Sequence, residues 1–110
     1  KELKKANFIQ IMKAKSKNKW IQIHLSLEKM PEKMKKIHEK KLSIINNKIQ
    51  LIEKSLIQFD NKINYNYLQK NSSKNLAKMY QKKMKHLQVE YASQLKSLSL
   101  LLLTLQKIHP

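Results

Sequence analysis

Apolar positions along this chain fall into two long stripes at helical spacing. Between residues 42 and 63, Leu42, Ile45, Ile49, Ile52, Leu56, Phe59 and Ile63 are separated by alternating steps of three and four. That alternation keeps side chains on one helix face and makes a heptad seam, with Leu42 at an a position. Ile37, Ile44 and Leu51 occupy c positions of the same frame and widen the apolar face, which implies contact with more than one neighbour. A second stripe, Ala77, Tyr80, Met84, Leu87, Tyr91, Leu98, Leu101, Leu105 and Ile108, has Gln94 as its only polar member. The first stripe predicts a helix over about 31–69, opened by Pro31, whose missing N–H suits a first turn, and by Glu32, whose charge is favourable there. The second predicts a helix over about 73–108.

Between the stripes the core positions Asn66, Lys70 and Ser73 are all polar, and the run Asn71-Ser72-Ser73-Lys74-Asn75 is poor in helix formers and rich in capping side chains. A chain reversal there brings the stripes together in one register. Ile63 faces Tyr80, Phe59 faces Met84, Leu56 faces Leu87, Ile52 faces Tyr91, and the series continues to Leu42 opposite Leu101. The heptad phase also runs straight through the gap, so a single helix of about 115 Å in a parallel dimer carries the same pattern. The polar interval favours the hairpin.

The first thirty residues are less regular. Lys1 to about Lys15 reads as a short amphipathic helix with Leu3, Phe8, Ile11 and Met12 near one face, followed by a connector in which Lys13, Lys15, Lys17 and Lys19 alternate. Trp20–Leu27 carries two patterns at once. Ile21, Ile23, Leu25 and Leu27 alternate with polar residues as in a strand, whereas Trp20, Ile23, Leu27, Met30 and Met34 fall at helical spacing. With no second strand to pair with, helix or extended connector is preferred. The fold expected is all-α: a long antiparallel, coiled-coil-like helical hairpin over 31–110, preceded by a short N-terminal helical arm and connector over 1–30.

Composition narrows the picture. The chain's 110 residues make one small domain. There is no glycine to supply left-handed turns, no cysteine, and proline only at Pro31 and Pro110. The formal charge is +17, and every basic residue is lysine. Abundant lysine, asparagine and isoleucine also match an AT-rich coding sequence, so part of that charge reflects composition. A body so charged repels itself and calls for acidic partners or polyanions. The chain begins at Lys1, which processing, cleavage from a longer chain or a fragment explains; removal of an organellar presequence is one such route. The expectation is an intracellular protein, with the mitochondrion as one candidate compartment. The run Leu95–Leu105 is interrupted by Lys96 and polar positions and is too short to span a membrane.

Several chemistries lack their residues. Without glycine there is no P-loop or dinucleotide fingerprint, and without cysteine no thiol nucleophile or thiolate metal site. His24, His38, His86 and His109 have no metal-ligand spacing, and His38 reads as a seam-edge residue at the d position before Leu42. Glu28, Glu32 and Glu39 lie among lysines and suit i,i+4 pairing, as in Glu32–Lys36, better than acid–base work. No catalytic residue, metal, cofactor or small-molecule substrate is expected.

What remains is interaction. Leu100, Leu101, Leu102 and Leu103 are consecutive and point to all sides of a helix, yet only Leu101 belongs to the seam. Leu100, Leu102 and Leu103, with Phe8 and Trp20, are therefore candidates for contact with a protein partner, residues 1–27 being the competing cover for the leucines. The expected role is a non-catalytic structural or accessory subunit within a larger protein assembly. The alternative is a basic, ribosome-like RNA-associated subunit using two clusters, Lys33, Lys35, Lys36, Lys40 and Lys41, and Lys78, Lys82, Lys83 and Lys85. Without arginine, such contacts are point charges on phosphate and not bidentate readout. A third reading lays the first helix, with Lys1, Lys4, Lys5 and Lys13 beside Leu3, Phe8, Ile9 and Met12, on an anionic membrane surface.

Overall fold

The protein is all-α. The computed structural model describes the backbone of residues 3–68 and 74–108, and the side chains of 8–62, 76 and 78–108. Three helices fill it: α1 (Leu3–Glu28), α2 (Glu32–Leu68) and α3 (Lys74–Ile108). No strand occurs among the described residues. Each helix packs on the other two, most extensively α2 on α3, in a rod of 60 × 20 × 16 Å.

The N-terminal helix is not short. It runs unbroken through the residues expected to form a connector, so the arm is a full third member of the bundle. Burial explains the double pattern in Trp20–Leu27. Ile23 and Leu27 are fully buried, whereas Ile21 and Leu25, the other half of the alternation, remain about half exposed at 48% and 52%. Their strand-like period is two stripes on opposite faces of one helix. The helical set is the one that packs: Ile23, Leu27 and Met30 enter the core, with Trp20 and Met34 packed against it.

The break between α1 and α2 needs no glycine. The amides of Lys29 and Met30 donate to the carbonyls of Ser26 (3.3 Å) and Leu27 (3.1 Å), tightening the last turn into i→i+3 bonds. Met30 precedes proline, which steers it out of helical geometry. Pro31 then accepts the first bond of α2 from the Lys35 amide (2.9 Å), and Glu32 sits in the first turn as expected. No described residue has positive φ.

Of the predicted α2 seam, Leu42, Ile49, Ile52 and Leu56 are buried, while Ile45 and Phe59 pack at its margin. In α3, Met84, Tyr91, Leu98, Leu101 and Leu105 are buried, Tyr80 and Leu87 are packed at the margin, and Ile108 is exposed. Leu95, outside the predicted seam, is buried as well. The side chains of Ile63 and Ala77 lie outside the described residues, as do residues 71–73 of the reversal expected over 71–75, whereas Lys74 and Asn75 already belong to α3. α2 and α3 are separate helices that contact each other within one chain, so the unbroken helix is not adopted. The Leu-rich end of α3 tolerates its hydroxyl residues because Ser97, Ser99 and Thr104 donate back to the carbonyls of Ser93, Leu95 and Leu100.

Among the described residues, His38 is the one buried polar side chain with an unpartnered atom. It is buried at the d position expected for it, and its Nδ1 is enclosed without a hydrogen-bond partner. An unmet buried polar atom costs about 1–3 kcal/mol, so His38→Leu raises the thermal midpoint; an unchanged or lowered midpoint counts against this packing. A second comparison checks the fate of the double pattern. Ile23→Ala lowers stability by about 2–4 kcal/mol, whereas Ile21→Ala changes it by less than about 0.5 kcal/mol, read from urea unfolding.

Candidate interaction surfaces

The polar centre of the bundle is built around Tyr91. Its ring is fully buried and meets Phe8 of α1 edge-on, with centroids 5.8 Å apart and planes at 81°. Its hydroxyl donates to Glu53 Oε2 of α2 at 2.6 Å. Glu53 in turn lies 3.9 Å from Lys13 Nζ of α1, a partly exposed pair that contributes little by itself. One phenol thus touches all three helices. Burial first, then the hydrogen bond and negative charge of Glu53, push the Tyr91 phenol well above its usual range and keep its proton in place. A phenol so held is a donor, not a base or nucleophile, near neutral pH.

Beside this junction lies an open groove of about 700 Å³, walled by Trp20, Ile21, Leu25, Ile49, Tyr91 and Leu95. Trp20 stacks on His24 at its rim (6.5 Å, 24°). Among the described residues, no group of three His, Cys, Asp or Glu side chains is arranged to hold a metal ion. No helix among them is long and apolar enough to cross a membrane.

The five apolar candidates divide into two sets. Phe8 is used internally against Tyr91, and Trp20 is half-buried over the groove. Leu102 packs partly on the core, turned toward the same side as Leu95 and Leu98. Leu100 and Leu103 remain exposed at 59% and 53%, so α1 does not cover them. They belong to a longer exposed line along the outer side of α3: Lys78, Lys82, Lys85, Val89, Ala92, Lys96, Leu100, Leu103 and Lys107, every step three or four residues.

The lysine clusters are solvent-facing but separate. Lys33, Lys36, Lys40 and Lys41 are exposed, and Lys35 is partly buried. Lys78, Lys82, Lys83 and Lys85 are all exposed. The contact of Phe59 with Tyr80 (5.7 Å) fixes the second cluster beside residue 59, about 27–39 Å along α2 from the first at 1.5 Å per residue. The two do not form one patch. Lys83 is also occupied: its Nζ lies 5.6 Å over the Phe59 ring, with Lys62 5.5 Å from that ring and 5.8 Å from Tyr80. These cation–π contacts were not legible as such, because a lysine's ring partner on another helix is a tertiary fact.

No protein-family model, curated protein or solved structure matches the chain.

The junction makes a pH-dependent prediction. Tyr91→Phe removes a hydrogen bond to a charged acceptor and lowers stability by about 1.5 kcal/mol near neutral pH. The phenol's folded value lies above its ordinary 10.0, so on raising pH the unfolded chain loses this proton first and the folded chain loses stability above about that pH. The gap between wild type and Tyr91→Phe therefore narrows between about pH 9 and about pH 11. Parallel denaturation curves check this, and a constant gap would contradict it.

Proposed function

We propose that this chain is a non-catalytic structural or accessory subunit that packs by coiled-coil-type helix contacts within a larger protein assembly. The observation that carries this reading is the exposure of Leu100 and Leu103 on a bundle whose inward faces are already filled. Leaving each in water forfeits about 1.5–3 kcal/mol relative to burial, and Val89 on the same line is exposed at 68%. A second protein laid along the outer side of α3 recovers that energy. The frame presenting the line is an antiparallel α2–α3 hairpin in the register set out above. Two sets of contacts support it: Glu53 with Tyr91, and Lys62 and Lys83 with the Phe59–Tyr80 pair. The RNA-associated alternative has less support, because its two clusters are far apart and Lys83 is held over an aromatic ring.

The test is co-purification of the native chain with its partners. Protein partners remain bound after nuclease treatment and at about 0.5 M salt, where phosphate contacts weaken steeply. Leu100→Lys with Leu103→Glu releases them by at least about tenfold while the helical circular dichroism stays unchanged. Release by nuclease alone, with the leucine variant still bound, would replace this reading with the RNA-associated one.

A further inference from the structure

α2 carries a second heptad line that the bundle leaves uncovered. Lys33, Ile37, Lys40, Ile44, Asn47 and Leu51 are spaced 4, 3, 4, 3, 4, and all six are exposed. Ile37, Ile44 and Leu51 are 56%, 55% and 65% exposed, more than most apolar side chains of the chain. They recur at intervals of seven, so they stand in a row about 21 Å long on the side of the helix. Lysine or asparagine occupies the alternating position of the same row, and the exposed Lys41 and Lys48 flank it. Shallow grooves lie on both sides of Leu51, one of about 510 Å³ reaching Lys54 and Ile57, the other of about 380 Å³ reaching Lys48 and Glu90 of α3. Of the acidic residues of α2, Glu32 and Glu39 fall in a frame on the opposite side of the helix, whereas Glu53 lines the 510 Å³ groove beside Leu51, its carboxylate accepting from the Tyr91 hydroxyl at 2.6 Å and lying 3.9 Å from Lys13 Nζ. Glu90 of α3 lines the other groove, and its carboxylate lies 3.1 Å from His86 Nε2.

We infer that this line is a docking seam for one amphipathic helix of a different, acidic protein, which sets leucine- or isoleucine-type side chains against Ile37, Ile44 and Leu51 and carboxylates against Lys33, Lys40 and Lys48. The inference rests on the subunit reading above and names a second contact surface and its partner's chemistry. Charge decides the occupant. A second copy of this chain brings Lys33 and Lys40 against like charges on a body already at +17. A bilayer requires a broad apolar face, whereas here one apolar residue appears every two turns with lysine or asparagine between. Nucleic acid has no use for a regular row of isoleucine and leucine in its contact line. A heptad with cationic alternate positions is matched by a helix with anionic ones, which contributes both apolar burial and charge complementarity.

The probe is a synthetic helical peptide of about four heptads, with leucine at one seam position and glutamate at the other and at the flanks. Two controls accompany it: the same peptide with lysine replacing glutamate, and polyglutamate. Binding to the full chain is read by fluorescence anisotropy. The glutamate peptide binds, and neither control does. Ile44→Lys and Leu51→Lys each weaken it by at least about tenfold, and because both positions are exposed the circular dichroism spectrum is retained. Lys33→Glu with Lys40→Glu weakens the glutamate peptide and admits the lysine peptide. The inference is overturned if the glutamate peptide fails to bind, if either control binds equally, or if Ile44→Lys leaves binding unchanged. It is also overturned if phosphatidylserine vesicles or polyuridylate, in place of the peptide, show the Ile44 dependence. Its failure is separable from that of the subunit reading: with no peptide binding but with Leu100 and Leu103 still required for co-purification, only the α2 seam falls.

Discussion

Three helices with long apolar stripes have many ways to lie side by side, because greasy contacts slide and rotate at small cost. The buried Tyr91 hydroxyl removes much of that freedom. Inside the bundle it must find an acceptor, and Glu53 supplies one at 2.6 Å. The same ring receives the edge of Phe8, so a rotation of α3 that breaks one contact strains the other. With Lys13 near Glu53, a single polar point ties the rotational setting of α1, α2 and α3 together. The apolar seams supply the adhesion, and this junction chooses among the arrangements that adhesion allows.

Much of the architecture was legible because heptad spacing reports directly on helix faces. Leu42, Ile49, Ile52 and Leu56 sit buried where three-four spacing places them, and Pro31 opens α2 for a reason visible in its covalent structure. The N-terminal helix is longer than its local pattern implies. Its alternating Ile21, Ile23, Leu25 and Leu27 satisfy the strand and helix templates together, and the outcome depends on a surface of α2 and α3 that local pattern does not contain. The same dependence explains Leu95 and Gln94. A two-helix seam would bury position 94, but the third helix draws the buried face of α3 toward Leu95.

The interaction surfaces were half legible. Four consecutive leucines cannot all face one seam, so some excess exposure was implied, and Leu100 and Leu103 carry it. Phe8 makes an aromatic contact with a residue 83 positions away, which no spacing rule reveals. Ile37, Ile44 and Leu51, expected to widen the packed α2 face toward a second neighbour, do not pack within the bundle, because α1 lies on the other flank and leaves them open. Which flank a third helix chooses is decided by shape and by groups such as Glu53, not by apolar count. Abundant lysine blurs the matter further, since a residue spread over so much of the exposed surface carries little positional information.

The pairing of α1 with α3 joins residues far apart in the chain: Gln22 meets Gln106 at 3.4 Å, and Phe8 meets Tyr91. During translation the first helix emerges long before the last residues of its neighbour exist. Ile23 and Leu27, enclosed in the finished bundle, are then without their cover while α2 and α3 are assembled. Completion of α3 supplies that cover, so the last helix of the bundle to be made seals the first.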